Sequence, residues 1–245
     1  QRMHITKKAW EQLLATLGKV TGRDIKEFHS AAFYKGKGVW HSLNGSERSS
    51  VITAIVEWLK RRKHKITFAG IDKTKFESAK SDHRVTFLKT PWRFLAAHIL
   101  LSIQKEHQKE KNNKGNSVFV FDREVMEEAA LSEMVRTPPS WMTRYYTEAS
   151  DIEPFDQIID VPYWGDSCDV HLIQVSDLMS FILRQYVELA EGARDVKYPD
   201  ESEKVTGWAR QIMDVALPNG CRYSSKTDEQ SRVFLDLTPA TLIKL

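Results

Sequence analysis

The chain has 245 residues, of which 41% are hydrophobic, and this is enough for one large domain or for one domain with an appendage. No run approaches the roughly 18 consecutive apolar residues of a membrane span and no signal segment opens the chain, so we expect a cytoplasmic protein with no membrane partner. The net charge of +3 is too small to indicate a nucleic-acid-binding protein by itself, and the spacing of Cys168 and Cys221 argues against a disulfide scaffold and a structural zinc site.

Apolar residues at helical spacing alternate with short apolar runs over the first half of the chain. The predicted helices of this half cover residues 6–21, 46–63, 91–109 and 125–135. Ser46 is the expected N-cap of the second helix. The run 65–73 predicts a strand that ends at Asp72, and the run 116–122 predicts a strand that ends at Asp122.

The alternation of helices and strands has a consequence for the fold. Helix, strand, helix, strand, helix is the order of parallel βαβ units, in which helices cover a sheet. Ligand sites in open parallel sheets lie beyond the carboxyl ends of the strands, where Asp72 and Asp122 are expected. An aspartate after a strand is also explained as a helix N-cap or a turn residue, so both interpretations stay open.

Glu27 and His29 flank Phe28 in a short segment between the first two predicted helices. Residues two apart share one side of an extended segment, so Glu27 and His29 can face a common ligand while Phe28 packs the other way. The alternative is that Glu27 is a solvated loop carboxylate.

The most strongly periodic stretch covers residues 171–189 and predicts a mostly buried helix. His171, Gln174, Asp177 and Arg184 fall on one narrow stripe of this helix, and apolar side chains take most of the remaining circumference. The Asp177 carboxylate is therefore expected to open on a cleft, where an ionised group needs a partner. An ion pair with Arg184 and a bound metal are equally suitable partners on spacing alone.

The remaining segments complete the predicted architecture. Residues 155–162 predict a further strand and residues 202–217 a further helix. Arginine stands among aromatic residues in the segment 137–146, which suits stacking on nucleic-acid bases, although packing within the protein is the commoner use. We expect one domain over residues 1–190 and a helical C-terminal extension, 191–245, packed on the same domain.

Several short motifs together resemble family 3800 of the domains of unknown function, an RNase H-like group. These motifs are Glu27-Phe-His29, Ile71-Asp72-Lys73, Phe119-Val-Phe-Asp122, Asp166-Ser167 and Gln174-x-x-Asp177-Leu178. The resemblance covers roughly residues 10–189, and the Gln-x-x-Asp helix is its most specific part. Members of this family usually open with a strand reading Tyr-x-Asp-Glu-Ser-Gly, which this chain lacks, so we expect N-terminal strands to lie upstream of Gln1.

The resemblance implies an α/β fold of the RNase H-like type, a central mixed or mostly parallel sheet flanked by helices. It also implies a site of two Mg²⁺ or Mn²⁺ ions held by carboxylates from several elements. The family pattern indicates Glu27 and Asp177 as metal ligands, with an aspartate upstream of this sequence as the central one. For the remaining ligand the family pattern indicates Asp122, whereas the geometry of the sheet in this fold favours Asp72, and both stay open.

Further roles follow from the resemblance for residues near these carboxylates. His29 or His171 would orient water, and Gln174 would hold the scissile phosphate or a ligand. Lys73 and Arg123 would contact the substrate backbone. The sequence therefore predicts a metal-dependent nuclease acting on DNA or RNA. The alternatives are a non-catalytic module that binds nucleic acid or a partner protein, and a hydrolase of small phosphorylated molecules.

Overall fold

The computed structural model describes residues 3–109, 116–147, 153–223 and 229–245. Two strands lie among these residues, β1 (Val120–Asp122) and β2 (Tyr163–Gly165), and residues Gly38–Ser42 form a 3₁₀ turn. The α-helices are α1 (Met3–Thr21), α2 (Ser30–Lys35), α3 (Gly45–Arg62), α4 (Lys73–Ser78), α5 (His83–Thr86), α6 (Pro91–His107), α7 (Val125–Arg136), α8 (Ser140–Tyr146), α9 (His171–Ala190), α10 (Glu201–Met213), α11 (Asn219–Arg222), α12 (Glu229–Asp236) and α13 (Ala240–Lys244).

The predicted fold class is wrong. The structure is 63% helical, and its two short parallel strands form only a small sheet, so this is a mostly helical protein and not an RNase H-like α/β fold. The strands β1 and β2 have three residues each, and within the described parts of the chain they form a two-stranded sheet.

The segment 65–73 shows why the apolar runs misled the prediction. Its backbone makes isolated hydrogen bonds to the C-terminal part of the chain. Leu217 N donates to Ile66 O at 2.8 Å, and Asp72 N donates to Leu237 O at 2.8 Å. Ile66 forms only an isolated bridge with Ala216. A short apolar run indicates that a segment is buried, but it does not indicate whether the segment is a strand. The segment 65–73 packs against helices and does not form a strand ladder.

The long helices are confirmed within a few residues of the predicted ends. The predicted helices 91–109, 125–135 and 171–189 correspond to α6, α7 and α9. The expected cap of α3 is wrong, because Asn44 and not Ser46 accepts the Glu47 amide, at 3.0 Å.

The chain divides into two compact units. The first unit contains residues Gln1–His64 and Gly165–Val215 and includes α1, α2, α3, α9 and α10. Its aromatic core includes Phe28, whose ring centroid lies 5.7 Å from that of Trp10 and 4.6 Å from that of Phe33. This unit carries the segment 24–29 and the helix α9, which together form the candidate site.

The second unit contains residues Lys65–Trp164 and Ala216–Leu245. Its core surrounds Phe234 of α12, which is fully buried and stacks on the ring of His98 at 4.6 Å. The predicted division into residues 1–190 and 191–245 does not coincide with these units, because residues 191–215 belong to the first and 216–245 to the second.

No helix within the described parts of the chain is long and apolar enough to cross a membrane.

Candidate functional site

Glu27 and His29 lie together on the extended segment that leads into α2. Phe28 is 1% exposed and packs into the aromatic core, so its two neighbours point the other way, as the alternation of side chains in an extended segment requires. Glu27 Oε2 lies 2.9 Å from His29 Nε2. The side chains are 24% and 68% exposed, so the pair forms at the surface of the first unit.

The other partners of Glu27 come from the turn before α9. The Ser167 hydroxyl donates to Glu27 Oε1, and the Cys168 thiol lies 3.7 Å from Oε2. Asp166 shapes this turn, because its Oδ1 accepts the Cys168 amide at 2.8 Å and its carbonyl accepts the Val170 amide at 2.8 Å. The Glu27 carboxylate is thus held by a hydroxyl, a thiol and an imidazole.

The surroundings of Cys168 disfavour the thiolate form of its side chain. Desolvation, followed by the nearby carboxylates of Glu27 and Asp166, raises the pKa of the Cys168 thiol. A thiol with a raised pKa is protonated at neutral pH and is a weak nucleophile. The raised pKa of the thiol thus disfavours Cys168 as the reactive group of the cluster.

Gln174 forms hydrogen bonds to both segments that carry Glu27 and Ser167. Its Oε1 accepts the Trp10 indole N–H at 2.9 Å and the Phe28 amide at 3.0 Å, while its Nε2 donates to Ser167 O at 2.7 Å. Gln174 is 1% exposed. This arrangement favours a positioning role for Gln174 over the substrate contact that the family pattern suggested.

Asp177 lies one helical turn beyond Gln174 and reaches the same segment. Its Oδ2 accepts the Ser30 amide, the first amide of α2, at 3.2 Å. Arg184 does not neutralise it, because Arg184 Nε lies 3.7 Å from Glu188 Oε1 and its guanidinium packs over the Phe181 ring at 5.4 Å. Asp177 is exposed, so its carboxylate is accessible to a ligand while it also stabilises the start of α2.

His171 lies in the first turn of α9 and faces α1. Its Nδ1 is 3.6 Å from Glu11 Oε1, and its side chain is 15% exposed. His29 is by contrast the exposed imidazole beside Glu27, so His29 fits the role of orienting water better than His171 does.

The remaining predicted site residues belong to the second unit and make local contacts. Asp72 is the N-cap of α4, since its Oδ1 accepts the amides of Thr74 and Lys75 at 2.9 and 3.1 Å. Asp122 ends β1 and accepts the Arg123 amide at 3.1 Å. Lys73 is the first residue of α4, and the side chains of Lys73 and Arg123 are both exposed.

The cation that the family resemblance implies can be compared with the donors present. Glu27 and Asp177 supply hard carboxylate oxygens to one region of the first unit, and Mg²⁺ is commonly bound through one or two carboxylates together with water and substrate phosphate. Among the described residues, no group of three or more His, Cys, Asp or Glu side chains is arranged to hold a metal. The described donors therefore form no closed protein cage, and a cation held by Glu27 and Asp177 would need water and substrate to complete its coordination.

Sequence reasoning identified Glu27, His29, Gln174 and Asp177, which the structure brings into one region. It did not identify Ser167 and Cys168 as the partners of Glu27. The available signal was the Asp166-Ser167 pair placed directly before the Gln-x-x-Asp helix.

No protein-family model, no curated protein sequence and no solved structure matches this chain. The resemblance to family 3800 therefore rests on the quoted motifs alone.

Proposed function

We propose that the protein is a metal-dependent nuclease that hydrolyses phosphodiester bonds of DNA or RNA in the cytoplasm. The observation that supports this best is the convergence of Glu27 and Asp177, from distant parts of the sequence, on the four residues 27–30. Gln174 ties this segment to the turn that carries Ser167, which gives the carboxylates a fixed setting. A half-buried carboxylate and an exposed carboxylate that contact the same short segment are ligands that a divalent cation and a phosphate can use.

The residues of the chain take distinct roles in this proposal. Glu27 and Asp177 would hold Mg²⁺ or Mn²⁺, and the bound ion would polarise the phosphodiester and lower the pKa of a water molecule. His29 Nε2 lies 2.9 Å from Glu27 Oε2, so the carboxylate orients the imidazole that would position water. Ser167 donates to Glu27 Oε1 and fixes the rotation of the carboxylate.

The test measures metal binding and cleavage separately. Mn²⁺ binding is measured by electron paramagnetic resonance, and cleavage is measured on labelled single- and double-stranded oligonucleotides of DNA and RNA. Asp177→Asn and Glu27→Gln should abolish cleavage and weaken Mn²⁺ binding. Arg184→Gln, on the same helix as Asp177 but paired with Glu188, is the matched control and should behave as the wild type.

A non-catalytic nucleic-acid-binding module is the alternative, and the lack of a third suitably placed ligand among the described residues favours it. Strand binding that is unchanged by a chelator, with no cleavage at any Mg²⁺ or Mn²⁺ concentration, would support the module. Hydrolysis of a mononucleotide without cleavage of a polymer would instead indicate a hydrolase of small phosphorylated molecules.

A further inference from the structure

A thiol, an amine and a carboxylate lie together in the second unit, where the end of α6 meets α11. They belong to Cys221, Lys109 and Glu106. Lys109 Nζ lies 2.8 Å from Cys221 Sγ, and the Cys221 thiol lies 3.0 Å from Glu106 Oε2, to which it donates. Lys109 Nζ also donates to Glu106 Oε2, so each of the three groups contacts the other two. We refer to these three residues as the thiol–amine cluster.

The distance between the nitrogen and the sulfur is short for a hydrogen bond. Hydrogen bonds from nitrogen to oxygen are typically about 2.9–3.0 Å long, and sulfur is a larger atom than oxygen. An N–H···S hydrogen bond alone would therefore hold Lys109 Nζ and Cys221 Sγ farther apart than 2.8 Å. The distance suits two atoms that are bonded to one oxygen atom between them.

The surroundings of the thiol–amine cluster select which oxidants reach the sulfur. Cys221 is 1% exposed, whereas the side chain of Lys109 is 37% exposed, so the cluster opens to solvent only on the side of the amine. Burial, followed by the hydrogen bond to Glu106, raises the pKa of the Cys221 thiol. Bulky reagents that attack thiolates are therefore disfavoured. Dioxygen is small and apolar, so burial does not exclude it.

We infer that Lys109 and Cys221 form a reversible covalent link through one oxygen atom, Nζ–O–Sγ, when they react with dioxygen. One S–H bond and one N–H bond break, one S–O bond and one N–O bond form, and the second oxygen atom leaves as water. The sulfur and the nitrogen lose two electrons each, and dioxygen accepts all four.

Glu106 supplies the base that this reaction needs. The lysine reacts as the neutral amine, so the extra proton of its ammonium form is first released to solvent. Glu106 Oε2 contacts both reacting groups, and it takes up the S–H and N–H protons in turn and passes them to the departing water.

The link joins two segments that are far apart in the sequence. Lys109 and Cys221 are 112 positions apart, and a cross-link that closes a loop of this length stabilises a fold by limiting the unfolded chain. The link also restrains α11, where the Arg222 carbonyl accepts the Tyr145 hydroxyl in the core of the second unit. The thiol–amine cluster is thus a modification site that makes the stability of the second unit depend on oxidation, and it does not rest on the nuclease proposed above.

The experiment measures the intact mass of the full chain by mass spectrometry. Protein that has been reduced with dithiothreitol is transferred to air-saturated buffer, and a second sample is treated with dilute hydrogen peroxide. The wild type should gain about 14 Da, which is one oxygen gained and two hydrogens lost, and dithiothreitol should reverse the gain. A proteolytic digest of the oxidised protein should contain one pair of peptides that joins Lys109 to Cys221.

Single substitutions assign the two bonded atoms. Cys221→Ser and Lys109→Arg should not gain this mass, and the arginine keeps a positive charge beside Glu106. Glu106→Gln should gain it at least about tenfold more slowly, because the base is lost. The matched control is Cys168→Ser, which removes the exposed thiol of the first unit and excludes a disulfide between the two cysteines. This control should gain about 14 Da as the wild type does.

Other mass changes would overturn the inference. A gain of about 16 or 32 Da would show a sulfenic or sulfinic acid, in which the lysine takes no part. A loss of about 2 Da in Cys168→Ser would show a direct S–N bond. An unchanged mass of the wild type in both oxidants, or a gain of about 14 Da in Lys109→Arg, would refute the link as well.

Thermal unfolding tests the consequence of the link for stability. The midpoint of unfolding of the wild type should rise by about 5 °C or more on oxidation and return after dithiothreitol, whereas Cys221→Ser should show no such shift. An unchanged midpoint in linked protein would refute the stabilising role.

Discussion

Gln174 illustrates how a single side chain links the sequence to the candidate site. The periodicity of α9 placed Gln174 on the same stripe as Asp177, which is correct, but periodicity does not show what an amide contacts. The structure pairs its oxygen with Trp10 and Phe28 and its nitrogen with Ser167. Contacts between such distant residues depend on tertiary packing and cannot be read from local pattern.

Gln174→Leu tests this positioning role. The change leaves the buried Trp10 indole N–H and the Phe28 amide without acceptors, and each unsatisfied buried donor costs about 1–3 kcal/mol. We expect the free energy of unfolding, measured by urea denaturation, to fall by about 3 kcal/mol.

Gln185→Leu provides the matched control on the same helix. Gln185 is also buried, and the hydrogen bond of its side chain within the described parts of the chain is a donation to Glu188 at 3.2 Å, so the loss should be clearly smaller. Equal losses for the two variants would show that Gln174 fills space and does not fasten the site.

At the scale of the element, helices were predictable because their signals are local. The Thr90-Pro91 start of α6 is a cap followed by proline, and the structure shows the Thr90 hydroxyl accepting the Arg93 amide at 3.1 Å. The strands were not predictable, because a strand is defined by a partner elsewhere in the chain. The runs around Asp72 and Asp122 carry the same apolar signal, yet only the second forms a strand.

The start of α3 gives a test of capping at this scale. Asn44 accepts the Glu47 amide at 3.0 Å, and Glu47 accepts the Asn44 amide at 2.7 Å, which is a reciprocal capping box. Asn44→Ala should lower the free energy of unfolding by about 1 kcal/mol, measured by chemical denaturation. Ser46→Ala, at the position that sequence pattern favoured, should change it by less than about 0.5 kcal/mol. The reverse order of the two losses would contradict the structure.

At the scale of the whole molecule, both units are assembled from segments far apart in the chain. Such an assembly is difficult to predict from local sequence patterns. In the core of the second unit, Phe234 from the C-terminal region packs against Phe94 at 4.9 Å and against Tyr145 at 5.7 Å. Composition correctly indicated enough apolar residues for a core. The order of helices and apolar runs favoured a sheet, however, and no local signal shows that the C-terminal region completes a helical core.

His98 in this core should make the stability of the protein depend on pH. The imidazole is fully buried among Phe234, Tyr223 and Tyr145, and its Nε2 donates to the Arg222 carbonyl. Burial, opposed by that hydrogen bond and assisted by the charge of Arg222, lowers the pKa of His98 from 6.5 to about 4. His98 is therefore neutral in the folded protein at pH 7.

Unfolding returns His98 to its ordinary pKa, so the unfolded chain binds an extra proton between pH 6.5 and 4. The stabilising effect of the neutral imidazole is complete above pH 6.5 and is lost as the pH falls, by about 3 kcal/mol for a shift of this size. Urea denaturation at pH 7 and at pH 4 should show this loss in the wild type. His98→Gln should lack this component of the pH dependence whatever its absolute stability, while His83→Gln, which changes a side chain that is 75% exposed, should retain it. Identical pH dependence in the wild type and His98→Gln would mean that the buried imidazole does not control acid stability.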